Sequence, residues 1–316
     1  MICGYMISCS RCGKDAVTLI RYSGAHLCKR HFNEFFIKRI RKEIRWQVDL
    51  RQKRNIAVAV SGGKDSAAVL WSLKEILGKN PEIKLTAVTV DEGIEGYRPP
   101  NISAASKLCE MIDVPHEIIS FSDVVGLTMD KTSRMAEPLT PCSYCGVWRK
   151  KCLNQRAMEL GADVLATGHN LDDMAQSIAM NVFNGDVARL IRMGPHRRVL
   201  PGLVPRIMPL RTIPEKETYL WAYLNEIPFK DSECPYAATA HRGLFREIVN
   251  KVEKNTPGTR HRLLGSYDEI YRCMADRNKP SELNNCVICD QPTSQETCKA
   301  CEMEKGVKER LVENED

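Results

Sequence analysis

The chain lacks an apolar run of the roughly 18 residues a bilayer-spanning helix needs, which argues against a membrane protein. Met1 to Gly13 holds no long apolar h-region, so secretion is not expected and the cytoplasm is. The pattern G-x-x-x-x-G-K-[ST] is missing, which argues against an ordinary P-loop kinase or GTPase. No long internal repeat occurs beyond two similar cysteine modules. What is present is the composition of a soluble globular protein: 316 residues, 43% hydrophobic and 27% charged, enough for one large core with appendages.

The net charge of +6 hides an asymmetry. Residues 1–54 carry 13 Lys/Arg against 4 Asp/Glu, and residues 286–316 carry 4 against 8. A basic N-terminal block suits a polyanionic partner, and equally a solvated helix face. Fourteen cysteines are many for a cytoplasmic chain. Ten fall into three groups with ligand-like spacing, which argues for metal rather than disulfides. Cys3, Cys109, Cys152 and Cys273 are scattered and read as ordinary thiols.

Cys9-x2-Cys12 and Cys28-x2-His31 form a closed set of four ligands suited to a structural Zn²⁺. Cys286-x2-Cys289 and Cys298-x2-Cys301 form a second, all-thiolate set. Between them, Ile56 to Val60 reads as a buried strand, Ser61-Gly62-Gly63 as a break, and Asp65 to Leu77 as a helix. A strand, a glycine turn and a helix N-terminus make a phosphate cradle, because free backbone N–H groups and the helix dipole both favour an anion there. Further strands are expected near 84–90, 115–119 and 163–167, with a helix near 98–112. Alternation of this kind implies an α/β fold with a doubly wound parallel sheet. Its ligands bind outside the carboxyl ends of the strands, where the glycine loop, Asp91-Glu92-Gly93 and Gly168-His169-Asn170 fall.

The remaining segments follow. Residues 1–32 are expected to be a zinc module, 33–54 a basic helical linker, 55–235 the catalytic domain, 236–280 a helical region, and 281–316 a zinc module with an acidic tail. Cys142-x2-Cys145 is expected in a loop leading into a basic helix. Asp172 and Asp173 open another helix, where they suit its dipole or a Mg²⁺ ion. Residues 186–211 are rich in arginine (Arg189, Arg192, Arg197, Arg198, Arg206, Arg211, with His196) and suit RNA phosphates.

Ser61-Gly-Gly-Lys-Asp-Ser66 resembles the PP-loop, S-G-G-x-D-S, of the N-type ATP pyrophosphatases, whose fold is HUP-like. Taken in order, the first zinc module, that loop, P-C-S-Y-C-G, G-H-N-L-D-D, Cys234-Pro235 and the last zinc module resemble the TtcA/TtuA family of tRNA thiolases. They are most similar to the TtuA/NcsA/Ctu-type tRNA 2-thiouridine synthetases, which carry two zinc modules. The likeness spans nearly the whole chain.

The resemblance implies ATP, Mg²⁺, two Zn²⁺ and a [4Fe–4S] cluster held by Cys142, Cys145 and Cys234. Three protein thiolates leave one iron open, where hydrosulfide can bind. A zinc site completed by Cys152, or a persulfide relay through Cys142 and Cys234, are the alternatives. Ser61, Gly62, Gly63, Lys64, Asp65, Ser66, Asp91, Gly168, His169, Asp172 and Asp173 are the expected ATP site. Uridine O2 attacks the α-phosphate, and the cluster-bound hydrosulfide then displaces AMP. Asp65 and Asp173 position Mg²⁺ or ATP, and Arg149 or Lys150 neutralises developing charge. The family has a lysine where Arg149 stands, which leaves open which residue meets ATP.

Expected partners are tRNA, a sulfur donor (a ubiquitin-like thiocarboxylate or free sulfide) and a second copy of the chain in a homodimer. The wobble uridine is the preferred target over the T-loop uridine or a cytidine. A non-catalytic RNA-binding zinc protein and a PP-loop amide synthetase are the competing classes.

Overall fold

Ile56, Val58 and Val60 alternate with Ala57 and Ala59, and the two sets face opposite sides of one sheet. That alternation organises the computed structural model, which describes residues 7–49, 55–135, 137–194, 200–237, 242–275 and 283–313. A hairpin of β1 (Thr18–Ile20) and β2 (Ala25–Leu27) precedes α1 (Lys29–Gln47). Then come β3 (Asn55–Ala59), α2 (Lys64–Leu77), β4 (Lys84–Asp91), α3 (Arg98–Met111) and β5 (His116–Ser120). Two short helices, α4 (Phe121–Val125) and α5 (Met129–Ser133), lead to α6 (Pro141–Glu159). Next are β6 (Val164–Ala166), α7 (Leu171–Phe183), α8 (Val187–Ile191), β7 (Arg206–Ile207) and α9 (Glu215–Leu224). The chain closes with α10 (Arg242–Asn255), α11 (Thr259–Ala275), the pair β8 (Asn284–Asn285) and β9 (Pro292–Thr293), and α12 (Lys299–Glu313).

The central sheet has the order β5-β4-β3-β6-β7, all parallel, with helices on both faces, as the pattern of strands and helices implies. Its four longer strands fall where expected. The fifth, β7, lies in the arginine-rich segment, where no strand is expected, and at two residues it is too short to show a period. The strand order reverses between β3 and β6. A crevice opens at such a point, at the carboxyl ends of the strands.

On one face α1, α2 and α9 pack against Ile56, Val58 and Val164. Phe32, Phe36, Ile40 and Ile44 recur every fourth residue of α1, and Phe36 stacks on Trp221 with ring centroids 4.5 Å apart. The helix expected as a linker is therefore part of the core, and it begins inside the N-terminal zinc module. On the other face α4, α5, α6 and α12 cover Ala57, Val88 and Leu165. The helical region beyond residue 236 docks on α7: Phe245 and Val249 meet Ala175 and Ala179, and Leu264 and Tyr267 meet Leu171, Met174 and Ile178.

Arg211 corrects the reading of its segment as an RNA surface. It is 1% exposed, pairs with Asp268 at 2.6 Å and Glu43 at 3.5 Å, and lies over the Trp46 ring. Pro195, His196, Arg197 and Arg198 lie outside the described residues, as do Arg51 to Arg54 and Cys3.

Candidate functional site

The turn after β3 folds on itself. Ser66 Oγ accepts from Ser61 N at 3.0 Å and donates to Gly63 O at 2.9 Å. Gly62 has φ +88°, and a Cβ there would lie 2.1 Å from Asn101 O, so only glycine fits. Gly168, after β6, approaches so closely that its Cβ would stand 2.9 Å from Ser66 N. The two loops thus close over a cavity of about 280 Å³, lined by Ser61, Gly63, Asp65, Ser66, Glu92, Arg98, Arg149, Gly168, His169, Asp173 and Arg242. The α2 N-terminus and the walls of basic residues make it a site for an anion with a flat, apolar neighbour over Val88, Val90 and Leu153.

Three carboxylates line this cavity, Asp65, Asp173 and Glu92. Asp65 accepts from Asn170 Nδ2 at 3.1 Å, and burial pushes its pKa up to about 6 against the pull of Lys64. Asp173 completes a capping box with Asn170 and pairs with Arg242 at 3.2 Å. The charge of Asp173 adds a smaller upward push on Asp65. Asp172 does not join them: consecutive helix residues point in different directions. Its carboxylate accepts from Glu215 N at 2.8 Å and pairs with Arg260 at 3.0 Å, tying α7 to α9 and α11.

Four further expected residues, Gly62, Lys64, Asp91 and Lys150, are absent from the cavity wall. Lys64 reaches Glu215 at 2.8 Å and Asp65 at 3.0 Å. Asp91 accepts from Gly93 N at 2.9 Å, closing its own turn. Lys150 is not in that wall; desolvation, followed by the charges of Arg206, Arg189, Arg192 and Arg242, lowers its pKa. Of the two adjacent basic residues, Arg149 is the one that lines the cavity.

The sequence places Glu92 in a loop at the ligand-binding end of the sheet without giving it a role, and does not single out Arg98. Glu92, 4% exposed, holds Arg98 Nε at 2.6 Å and Arg149 Nε at 2.9 Å. Arg98 donates on to Ser61 O at 3.1 Å. Arg149 Nη2 donates to Cys145 Sγ at 2.9 Å. The position of Glu92 after a parallel strand is the available signal; of its two arginine partners, Arg98 opens the next helix and Arg149 comes from the distant α6.

Cys142 and Cys145 are in the first turns of α6 and not in a loop, because Pro141 is well placed to start a helix. The i, i+3 spacing puts both on one face. Cys234 is brought to them by Tyr236, whose hydroxyl donates to Asp130 at 2.7 Å and whose carbonyl accepts from Cys142 Sγ at 3.4 Å. The three thiols act on one another electrostatically, and burial pushes Cys145 up to about 11. A thiolate there calls for a positive partner, which Arg149 supplies in part and a cationic metal centre would supply in full. Cys152 is fully buried in the core of the α6 face.

Cys9, Cys12, Cys28 and His31 place their ligand atoms within 4.8 Å of one another, and so do Cys286, Cys289, Cys298 and Cys301. These are the single-ion sets among the described residues. Both modules use one device: the second ligand pair straddles a helix start, Cys28 as N-cap of α1 and Cys298 just before α12. Four soft or borderline donors with no opening fit a structural zinc. The Cys142, Cys145 and Cys234 thiols are not such a set.

A family model for the PP-loop domain matches residues 29–253, and one for the N-terminal LIM domain of 2-thiouridine synthetase TtuA matches residues 8–33. The tRNA 2-thiolation protein NcsA of Haloferax volcanii is 38% identical over 95% of this chain and 99% of that one. The tRNA-5-methyluridine(54) 2-sulfurtransferase of Pyrococcus horikoshii is 31% identical over 93% of both. Among solved structures, the U34-tRNA thiolase NcsA of Methanococcus maripaludis with its [4Fe-4S] cluster superposes with a TM-score of 0.83, at 34% identity, covering 95% of this chain and 96% of that one.

Proposed function

The chain belongs to the PP-loop family of tRNA 2-thiolation proteins, and on that premise we propose that it is an ATP-dependent tRNA sulfurtransferase that exchanges O2 of a uridine for sulfur. One observation carries the reading: Arg149 lines the phosphate cavity and donates to Cys145 Sγ at 2.9 Å, so the adenylating and sulfur-bearing ends of one site share a guanidinium.

ATP lies with its phosphates against the turn at Ser61, Gly63 and Ser66, at the positive end of α2. Asp65 and Asp173 would hold a Mg²⁺ ion, which when bound neutralises phosphate charge. Uridine O2 attacks the α-phosphate, the bond to pyrophosphate breaks, and a 2-O-adenylated base forms. Arg149 offsets the charge that grows on the α-phosphate. Sulfide attack at C2 then expels AMP, with Arg149 now stabilising the leaving phosphate. Cys142, Cys145 and Cys234 would hold a [4Fe–4S] cluster, which when bound supplies an iron without a protein ligand for the incoming sulfur. Lys150, Arg189, Arg192 and Arg206 form the adjoining basic wall for the tRNA backbone.

The target we propose is the anticodon wobble uridine, supported by the likeness to the U34-tRNA thiolase over nearly the whole chain. A ubiquitin-like thiocarboxylate or free sulfide as donor, homodimeric assembly and a cytoplasmic location belong to the same proposal. Mass spectrometry of tRNA nucleosides from a deletion strain tests it. Loss of 2-thiouridine at the wobble position supports the reading, loss at position 54 moves the target, and an unchanged profile removes the function.

A further inference from the structure

Lys151 is 7% exposed, on the buried side of α6, and no carboxylate pairs with it among the described residues. Its Nζ donates to Cys301 Sγ at 3.5 Å. Cys289 and Cys298 of the same module also act on it electrostatically. A buried ammonium without an anion is costly, and so is a buried divalent ion with four thiolates, which carries a surplus of two negative charges. Each offsets the other.

The same helix begins with Cys142 and Cys145. Other contacts fasten it to the C-terminal module: Trp148 Nε1 donates to Ala300 O at 3.2 Å, and Arg310 Nη2 to Tyr144 Oη at 3.0 Å. Cys286, Cys298 and Cys301 belong to one buried cluster with Tyr144, Trp148 and Cys152. The N-terminal module packs elsewhere, with Cys9 and Cys28 in the core on the α1 face of the sheet.

We propose that Lys151 is the charge partner of the Cys286, Cys289, Cys298 and Cys301 metal site, and that occupancy of this site fixes the helix start that carries Cys142 and Cys145. The first half stands on the contact with Cys301 alone. The second draws its importance from the reading of Cys142 and Cys145 as sulfur-site ligands. The two similar cysteine modules then have different tasks: the N-terminal one shapes the α1 face, and the C-terminal one braces the sulfur site.

The test uses full-length, zinc-loaded protein and a colorimetric chelator. Groups hydrogen-bonded to metal ligands commonly alter affinity about 10–100-fold, so Lys151→Met should release one of its two zincs about tenfold or more faster. The other zinc should leave at the wild-type rate, and Lys151→Arg should stay near wild type. With Co²⁺ in place of zinc, the sulfur-to-cobalt charge-transfer band of one site should shift in Lys151→Met. Wild-type release of both zincs by Lys151→Met would overturn the charge pairing. The second half is tested on the unaltered protein, with a variant of the N-terminal module as control. Hydrogen exchange of residues 141–152 should speed up when the chelator strips zinc, and Cys12→Ser, damaged in the other module, should leave those residues protected. Unchanged exchange after zinc loss would overturn the coupling. Neither arm measures thiolation, so both decide the inference whatever happens to the proposed activity.

Discussion

Glu92 Oε1 accepts a hydrogen bond from Arg149 Nε at 2.9 Å and so holds a cavity-lining guanidinium against Cys145. Its other oxygen neutralises the buried Arg98, which reaches the PP-loop at Ser61. One carboxylate thus aligns both ends of the site.

Removing that carboxylate strands two guanidiniums, one of them fully buried. Glu92→Ala should destabilise the fold by about 3–5 kcal/mol, the usual cost of breaking a buried pair. Glu92→Gln keeps the shape and should cost less stability, yet lower kcat with little change in the KM for ATP, because Arg149 loses its aim. Denaturant melts and tRNA-dependent pyrophosphate release measure the two effects. A Gln variant with wild-type turnover would show that Arg149 needs no alignment.

Asp65 has a pKa raised to about 6 from an ordinary 3.8. The folded protein therefore holds a proton that the unfolded chain has released between those values. Its contribution to stability is full below about pH 4 and is lost as pH rises through about 6. At neutral pH the ionised group costs stability, so Asp65→Asn should stabilise the ATP-free protein by roughly 1–3 kcal/mol at pH 7.5, an advantage that vanishes in acid. The same variant should abolish pyrophosphate release while leaving tRNA affinity nearly intact. Thermal melts across pH would contradict this account if the Asn variant were the less stable at pH 7.5.

Anaerobically purified protein should be brown and hold about one cluster and two zincs per chain. Cys142→Ala, Cys145→Ala or Cys234→Ala should each bleach the colour and leave both zincs. Metal analysis showing zinc without iron in the unaltered protein would sink the cluster assignment.

Two kinds of arginine occur in one segment. Arg189→Ala with Arg192→Ala should weaken tRNA binding by about 1–2 kcal/mol and reduce the log–log salt slope by about two, as expected for exposed phosphate contacts. Arg211→Met should leave that slope alone and destabilise the fold by about 3–5 kcal/mol, because Glu43 and Asp268 lose their shared partner. Filter binding against salt, with melts in parallel, separates them. An unchanged slope in the double variant moves the RNA surface to the α1 helix.

Local patterns in the sequence carried a large part of the fold. The alternation at Ile56, Val58 and Val60 gives the central strand, because a strand's side chains repeat every second residue. Ser61-Gly62-Gly63 gives the cradle, because only glycine tolerates the φ of +88° and the approach of Asn101. The Cys-x2-Cys and Cys-x2-His spacings give both zinc modules, because that interval fits a turn or a helix start. These features are set by residues within one turn or one strand of each other, and such contacts are written into the order of the chain.

Tertiary structure decided which neighbouring residues work together. Asp172 and Asp173 are adjacent in sequence, yet one ties helices together and the other faces the cavity, since helix residues diverge in direction. Arg149 and Lys150 part in the same way. Glu92, Arg98 and Arg149, the burial of Arg211 and the contact of Lys151 with Cys301 join residues from separate elements. Such pairings depend on how helices cross the sheet, and no short stretch of sequence encodes that. The sequence determined a phosphate cradle, two zinc modules and a parallel sheet. Packing alone placed the charges between the cavity and the sulfur site, because a buried charge is governed by whatever the fold brings within a few ångströms of it.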